Sequence, residues 1–172
     1  VIISPATPEL VHHVALHMRD DDFTEISAMG WCDDRDELAD FLAHAHRLNG
    51  DTCHAFGDKP DNPIAIAGAM AIRPGVWSVF MFATNDWPKI ENEGTRWAIR
   101  SFFPSFIAAG AHRVECQSHT GHAKAHQWLE FFGFKQESLL RAYGANGEDF
   151  INYVWIPPKD TNARWRQPGI WR

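Results

Sequence analysis

Apolar residues fall along the chain either at helical spacing or in short continuous runs, and the changes between the two divide it into elements. Ile2 and Ile3 open a short extended segment closed by Pro5. Thr7 is a good N-cap, with Pro8 at the first helical position and Glu9 in the first turn. Leu10, Val11, Val14 and Met18 then follow at helical spacing, which predicts a helix to about Arg19, interrupted by Asp20, Asp21 and Asp22. A short helical piece through Phe23, Ile26 and Met29 ends at Gly30. A longer amphipathic helix runs from about Asp33 to Leu48, with Asn49-Gly50 as its stop. Strand-like runs follow in Thr52 to Phe56, Ile64 to Ile72 and Val76 to Thr84, the last almost wholly apolar as in a central strand, and the three read as an antiparallel meander. Asn92 to Ala109 returns to helical spacing through Trp97, Ile99, Phe103, Phe106 and Ile107, and Pro104 inside it predicts a kink or a split. Arg113 to Ser118 is a strand and Gly121 to Phe132 a helix closed by Gly133. Phe134 to Tyr143 and Phe150 to Trp155 are strands around the turn 144–147. This order predicts a single α/β domain over residues 1–157, with a mixed, mostly antiparallel central sheet flanked by helices.

Composition narrows the class. A chain of 172 residues buries roughly 70% of its unfolded surface, so it needs no disulfide or metal staple. Cys32, Cys53 and Cys116 are an odd set without close pairing, which suits a reduced compartment. No apolar run has the length of a membrane span, and no secretory signal pattern opens the sequence. The formal charge of −6 disfavours a dedicated nucleic-acid binder. That charge is unevenly spread. Residues 158–172 carry +3 through Lys159, Arg164, Arg166 and Arg172 against Asp160, and the rest of the chain carries −9. The tail interleaves these cations with Trp165 and Trp171. That pattern suits docking on a protein partner, self-packing on the globule or, less well, stacking on single-stranded nucleic acid.

The order of elements over residues 1–156, joined to the run Ala125-His126-Gln127-Trp128-Leu129-Glu130-Phe131-Phe132-Gly133-Phe134 and then Gln136 to Arg141, resembles the GNAT superfamily of acetyl-CoA-dependent N-acetyltransferases. A narrower resemblance, to GNAT-like internal virion proteins of short-tailed phages, is carried by Met18 to Ile26, Trp77 to Thr84 and Trp128-Leu129-Glu130 before Gly133-Phe134. It implies location in a virion or the host cytoplasm. It also implies other virion proteins, or a second copy of the chain, as partners through the 158–172 tail.

The GNAT resemblance implies acetyl-CoA as cofactor if the chain is catalytic, and a pyrophosphate cradle after the fourth strand. Phe82, Thr84, Trp87, Lys89, Gly94 and His122 stand at the cofactor-contacting places. Of the spaced glycines the resemblance leads one to expect, only Gly94 is present. Pro88 lacks an N–H, and Asp86, Glu91 and Glu93 place negative charge where a polyanion would lie. The acid expected four residues before the Gly of Gly-Phe is Leu129, which donates no proton. Glu115 and Tyr143 are the remaining candidates for general base and acid, against the plainer readings of a salt-bridged Glu and a partly buried strand tyrosine. His122 and His126, at i and i+4, share a helix face but lack the further ligands of a metal site, so no metal is expected. Two functions follow. The first is a virion-associated structural protein with a degraded acetyl-CoA site that acts through its interfaces. The second is an acetyl-CoA-dependent N-acetyltransferase with a divergent site.

Overall fold

The computed structural model describes residues 1–30, 32–49 and 52–158. The basic Trp/Arg segment from residue 159 onward therefore lies outside the described residues. Seven strands form one sheet: β1 (Ile2–Pro5), β2 (Cys53–Lys59), β3 (Asn62–Arg73), β4 (Val76–Ala83), β5 (Arg113–His119), β6 (Lys135–Leu140) and β7 (Phe150–Trp155). Their spatial order is β1-β2-β3-β4-β5-β7-β6. Every neighbouring pair is antiparallel except β4 and β5, which run parallel. A parallel pair needs a crossover, and the segment between β4 and β5 supplies it as a helix in three parts.

Among the described residues six α-helices flank the sheet: α1 (Pro8–Leu16), α2 (Asp20–Ala28), α3 (Arg35–Asn49), α4 (Glu91–Trp97), α5 (Phe103–Ala108) and α6 (Ala123–Phe131). On one face Val11, Val14 and Leu38 of α1 and α3 cover Ala55, Ile66 and Phe82. On the other, α5 and α6 pack Phe103, Phe106, Leu129 and Phe132 over Val114, Tyr153 and Trp155. The alternation of inward side chains along β2, β3 and β4 serves both layers at once. Ala55 and Ile66 turn to the first core while their neighbours Phe56, Ala65 and Ala67 turn to a third cluster, with Trp87 and Ile90.

Three expectations need correction. Asp20, Asp21 and Asp22 do not interrupt a helix but form the first turn of α2, where carboxylates favour the positive end of the helix dipole. The first helix ends at Leu16, short of Arg19. Tyr143 is not a partly buried strand residue. β6 stops at Leu140, and Tyr143 sits about half exposed in the turn that follows. Pro104 does split the crossover helix, which widens into a π-turn at Ala98–Phe102 before α5 resumes.

Phe103 is the hub of the second core, within ring-contact distance of Phe102, Phe106, Phe132, Phe134 and Trp155. Replacing it with alanine should destabilise the fold by about 3–5 kcal/mol, read as a lowered denaturant midpoint with an unchanged m-value.

Candidate functional site

β4 and β5 share register only at Val76–Arg113, Trp77–Val114 and Ser78–Glu115. Beyond these pairs the strands part, and their C-terminal ends border a cleft. Helix α2 lies across that opening and is tied to both strands. Asp22 is almost fully buried and accepts the Ala83 N–H at the end of β4 (2.8 Å). It also accepts two hydrogen bonds from the Arg19 guanidinium, both 2.9 Å. Three residues further along α2, Glu25 Oε2 accepts from the Ser118 hydroxyl and the His119 N–H at the end of β5, each at 2.7 Å. The buried ring of His122, which precedes α6, lies between the two acids. Its Nδ1 is 3.2 Å from Glu25 and its Nε2 is 3.6 Å from Asp22. The chain approaching α2 adds backbone ties of its own: Met18 bridges Thr84, and the Arg19 N–H donates to the Ala83 carbonyl.

The electrostatics follow from this crowding. Burial opposes a charge on His122, but Glu25 and Asp22 outweigh it and raise the imidazole above its ordinary value. Burial likewise opposes ionisation of Glu25, yet the bonds from His122, Ser118 and His119 together hold its carboxyl below the usual range. For Asp22 burial wins, and its carboxyl is pushed up despite Arg19 and the Ala83 N–H.

On the opposite side of the cleft the loop after β4 forms a compact turn over Trp87–Lys89. Its amides are turned inward. The Asp86 N–H donates to Thr84 Oγ1, and the N–H groups of Trp87, Lys89 and Ile90 donate to the carbonyls of Thr84, Asp86 and Trp87. The Trp87 ring is buried edge-on to Trp128 of α6, with ring centroids 6.0 Å apart, and Trp128 Nε1 donates to Thr95 of α4. Trp87 and Trp128 thus join the β4–α4 loop to α6. Gly94 is what lets Trp87 in, because a Cβ on it would lie 2.6 Å from the indole edge.

No family profile matches the sequence, and no curated protein matches it. Solved structures do match. A ribosomal-protein-alanine N-acetyltransferase from Brucella melitensis superposes with a TM-score of 0.66 at 14% identity, over 91% of this chain and 100% of the other. Ard1 from Thermoplasma volcanium gives 0.65 at 12% identity, over 92% and 98%. A GNAT-family acetyltransferase from Bacillus anthracis gives 0.59 at 15% identity, over 87% and 88%. The fold is that of the GNAT acetyltransferases.

Within this GNAT fold the candidate residues fall into separate groups. His122 and Tyr143 lie toward the same ends of the strands, His122 buried and Tyr143 exposed. Tyr143 belongs there because its ring packs on Phe150, which faces His119 at the end of β5. Thr84 directly follows β4 at the same place, where its hydroxyl caps the following turn. Trp87 and Gly94 belong to the aromatic join, and Lys89 is exposed in an ion pair with Asp86. Phe82 is buried in the core beneath α1 and α3. Glu115 stands opposite Ser78, where the strands are still paired, and is ion-paired to Arg113 at 2.6 Å. Leu129 is part of the second core. Among the described residues no group of three or more His, Cys, Asp or Glu side chains is arranged to hold a metal ion. No helix among them is long and apolar enough to cross a membrane.

Sequence reasoning missed Arg19, Asp22, Glu25 and Ser118. The available signal was the spacing of Arg19, Asp22 and Glu25, each three residues after the last, which puts them on one side of a helix. Two outcomes test this site. Glu25→Ala strips the acceptor from Ser118, His119 and His122 and should cost about 3–5 kcal/mol in denaturant unfolding. Gly94→Ala forces the indole of Trp87 aside and should lower stability by about 1–3 kcal/mol, with a shift in tryptophan fluorescence that reports the displaced ring.

Proposed function

We propose that the chain is an acetyl-CoA-dependent N-acetyltransferase with a divergent site, working at the open end of the β4–β5 cleft. The observation that supports this reading most is the early parting of the two strands, with titratable groups gathered where they part. The two ends of acetyl-CoA fit unequally. Among the described residues, Val79 to Phe82 of β4 have no register partner on the β5 side, and a strand edge of that kind suits an extended thioester arm. The loop after β4 does not suit a pyrophosphate, since the amides of Asp86, Trp87, Lys89 and Ile90 are engaged within the turn and Pro88 has none.

When bound, acetyl-CoA would supply an acetyl group to an incoming amine, the C–S bond breaking as the amide forms and the coenzyme A thiol leaving with the proton that the amine gives up. Each side chain at the opening has a distinct role in this reading. Tyr143 presents an exposed phenol as the acid for the departing thiolate. His122 holds its proton between two carboxylates and keeps α2 in place. Glu115 is taken up by Arg113, and Leu129 by the core. Calorimetric titration of the full chain with acetyl-CoA should give a Kd below about 1 mM. In a thiol-release assay with a primary amine acceptor, Tyr143→Phe should lower kcat/KM by about 10²-fold.

The inward-turned amides and the Trp87–Trp128 join favour a second reading, that of a virion-associated structural protein which keeps the GNAT fold and acts through its interfaces. Its partners would be other virion proteins or a second copy of the chain, engaged through the 158–172 tail. No heat with millimolar acetyl-CoA, together with assembly lost on removal of residues 158–172 at an unchanged Tm, would favour this reading over the first.

A further inference from the structure

We propose that α2 is a protonation-controlled clasp across the β4–β5 cleft: Asp22 fastens it to the end of β4, Glu25 fastens it to the end of β5, and the protonated ring of His122 pins the two carboxylates together. The inference rests on the geometry of the cluster and holds whether or not the chain transfers acetyl groups. An imidazolium has two N–H donors and here faces two acids, 3.2 Å and 3.6 Å away. A neutral imidazole has one donor. On losing its proton the ring can serve only one carboxylate and turns a lone pair toward the other. Two acids, Asp22 buried and Glu25 partly buried, then share a single cation, Arg19, which is already committed to Asp22 through both oxygens. The arrangement is repulsive in a water-poor setting, and the weakest member is the helix that carries both acids. The C-terminal end of α2 has one further tie, the Ala145 N–H on the Ala28 carbonyl, which is a backbone contact and insensitive to this proton.

The groups facing His122 are Arg19, Asp22 and Glu25 from α2 and the residue before it, and His126 from α6; from β5, Cys116 and the His119 N–H face Glu25. Burial and the nearby Glu25 push the Cys116 thiol up, so it stays protonated near neutrality. Burial pulls His126 below the ordinary imidazole range, so its titration falls on the acid side of the step expected for His122. Stability from His122, whose pKa is raised on folding, is fully present below the ordinary value of 6.5 and is lost as pH rises through the raised value. Stability from Glu25, whose pKa is lowered, is present above 4.5 and lost as pH falls through the lowered value. The clasp is therefore shut over an intermediate pH window and released on its alkaline side by His122.

Amide hydrogen exchange on the full chain, corrected for intrinsic rates, tests this between pH 5.5 and 9. The expected result is a loss of protection by about tenfold over residues 20–28 as pH rises, with no such step in α1 or α3. In His122→Gln the step should vanish and protection in α2 should be low throughout. The imidazole resonance of His122 in the unmodified chain should titrate at the same pH as the step, which keeps the test informative if the variant folds poorly. Protection in α2 that is flat with pH, a step that survives in His122→Gln, or a step displaced from the His122 titration would each overturn the clasp.

Discussion

The sheet depends on one seam. All other strand neighbours are antiparallel, but β4 and β5 are parallel and hold register over three residue pairs only. The backbone groups of their outer halves must be satisfied by something other than each other, since a buried N–H without a partner is costly. Helix α2 meets much of that demand with side chains. Asp22 takes the Ala83 N–H and Glu25 takes the His119 N–H, so the strand ends are finished by carboxylates. The position of α2, the burial of its acids and the recruitment of His122 all follow from the parting of these two strands.

The two sides of the cleft are built from opposite chemistry. On the α2 side it is ionic and hydrogen-bonded, and each charge is specific for its partner. On the side of α4 and α6 it is aromatic, with Trp87, Trp128, Trp97 and Phe56 in edge contacts. The richness in tryptophan, with eight in the chain, is partly spent here. Large rigid rings join loop to helix with little loss of side-chain freedom, and the one small residue among them, Gly94, makes the approach possible.

Much of the fold was legible in the sequence because periodicity reports burial on one element at a time. The helices α1 and α3, the meander β2 to β4 and the Gly133-Phe134 close of α6 all announce themselves locally. The ionic cluster does not. Glu25 and His122 are 97 positions apart, and nothing near either residue signals the other. A run of three aspartates reads as a solvated break, whereas Asp22 is buried because the end of β4 needs an acceptor. Glu115 looked attractive on its strand, but the position of a residue along a parting pair of strands depends on register, which the sequence does not display. Tyr143 was misplaced by a strand extended three residues too far, since the turn that releases it is fixed by Glu148 and Asp149 accepting from the backbone amides of 146 and 142.

The π-turn at Ala98–Phe102 gives the crossover helix one residue more than regular winding over the same span requires. Its two halves are thus numbered out of phase. Trp97 addresses His54 and Phe56 of β2, whereas Phe103 and Phe106, read by the same count, would point elsewhere had the helix stayed regular. Two consecutive rings, Phe102 and Phe103, instead reach the same aromatic cluster. A single codon lost within these five positions would bring the helix back into phase and rotate everything after it by about 100°. In this chain a deletion there would be more disruptive than most substitutions, because the reading frame of the core is set by length as well as by residue type.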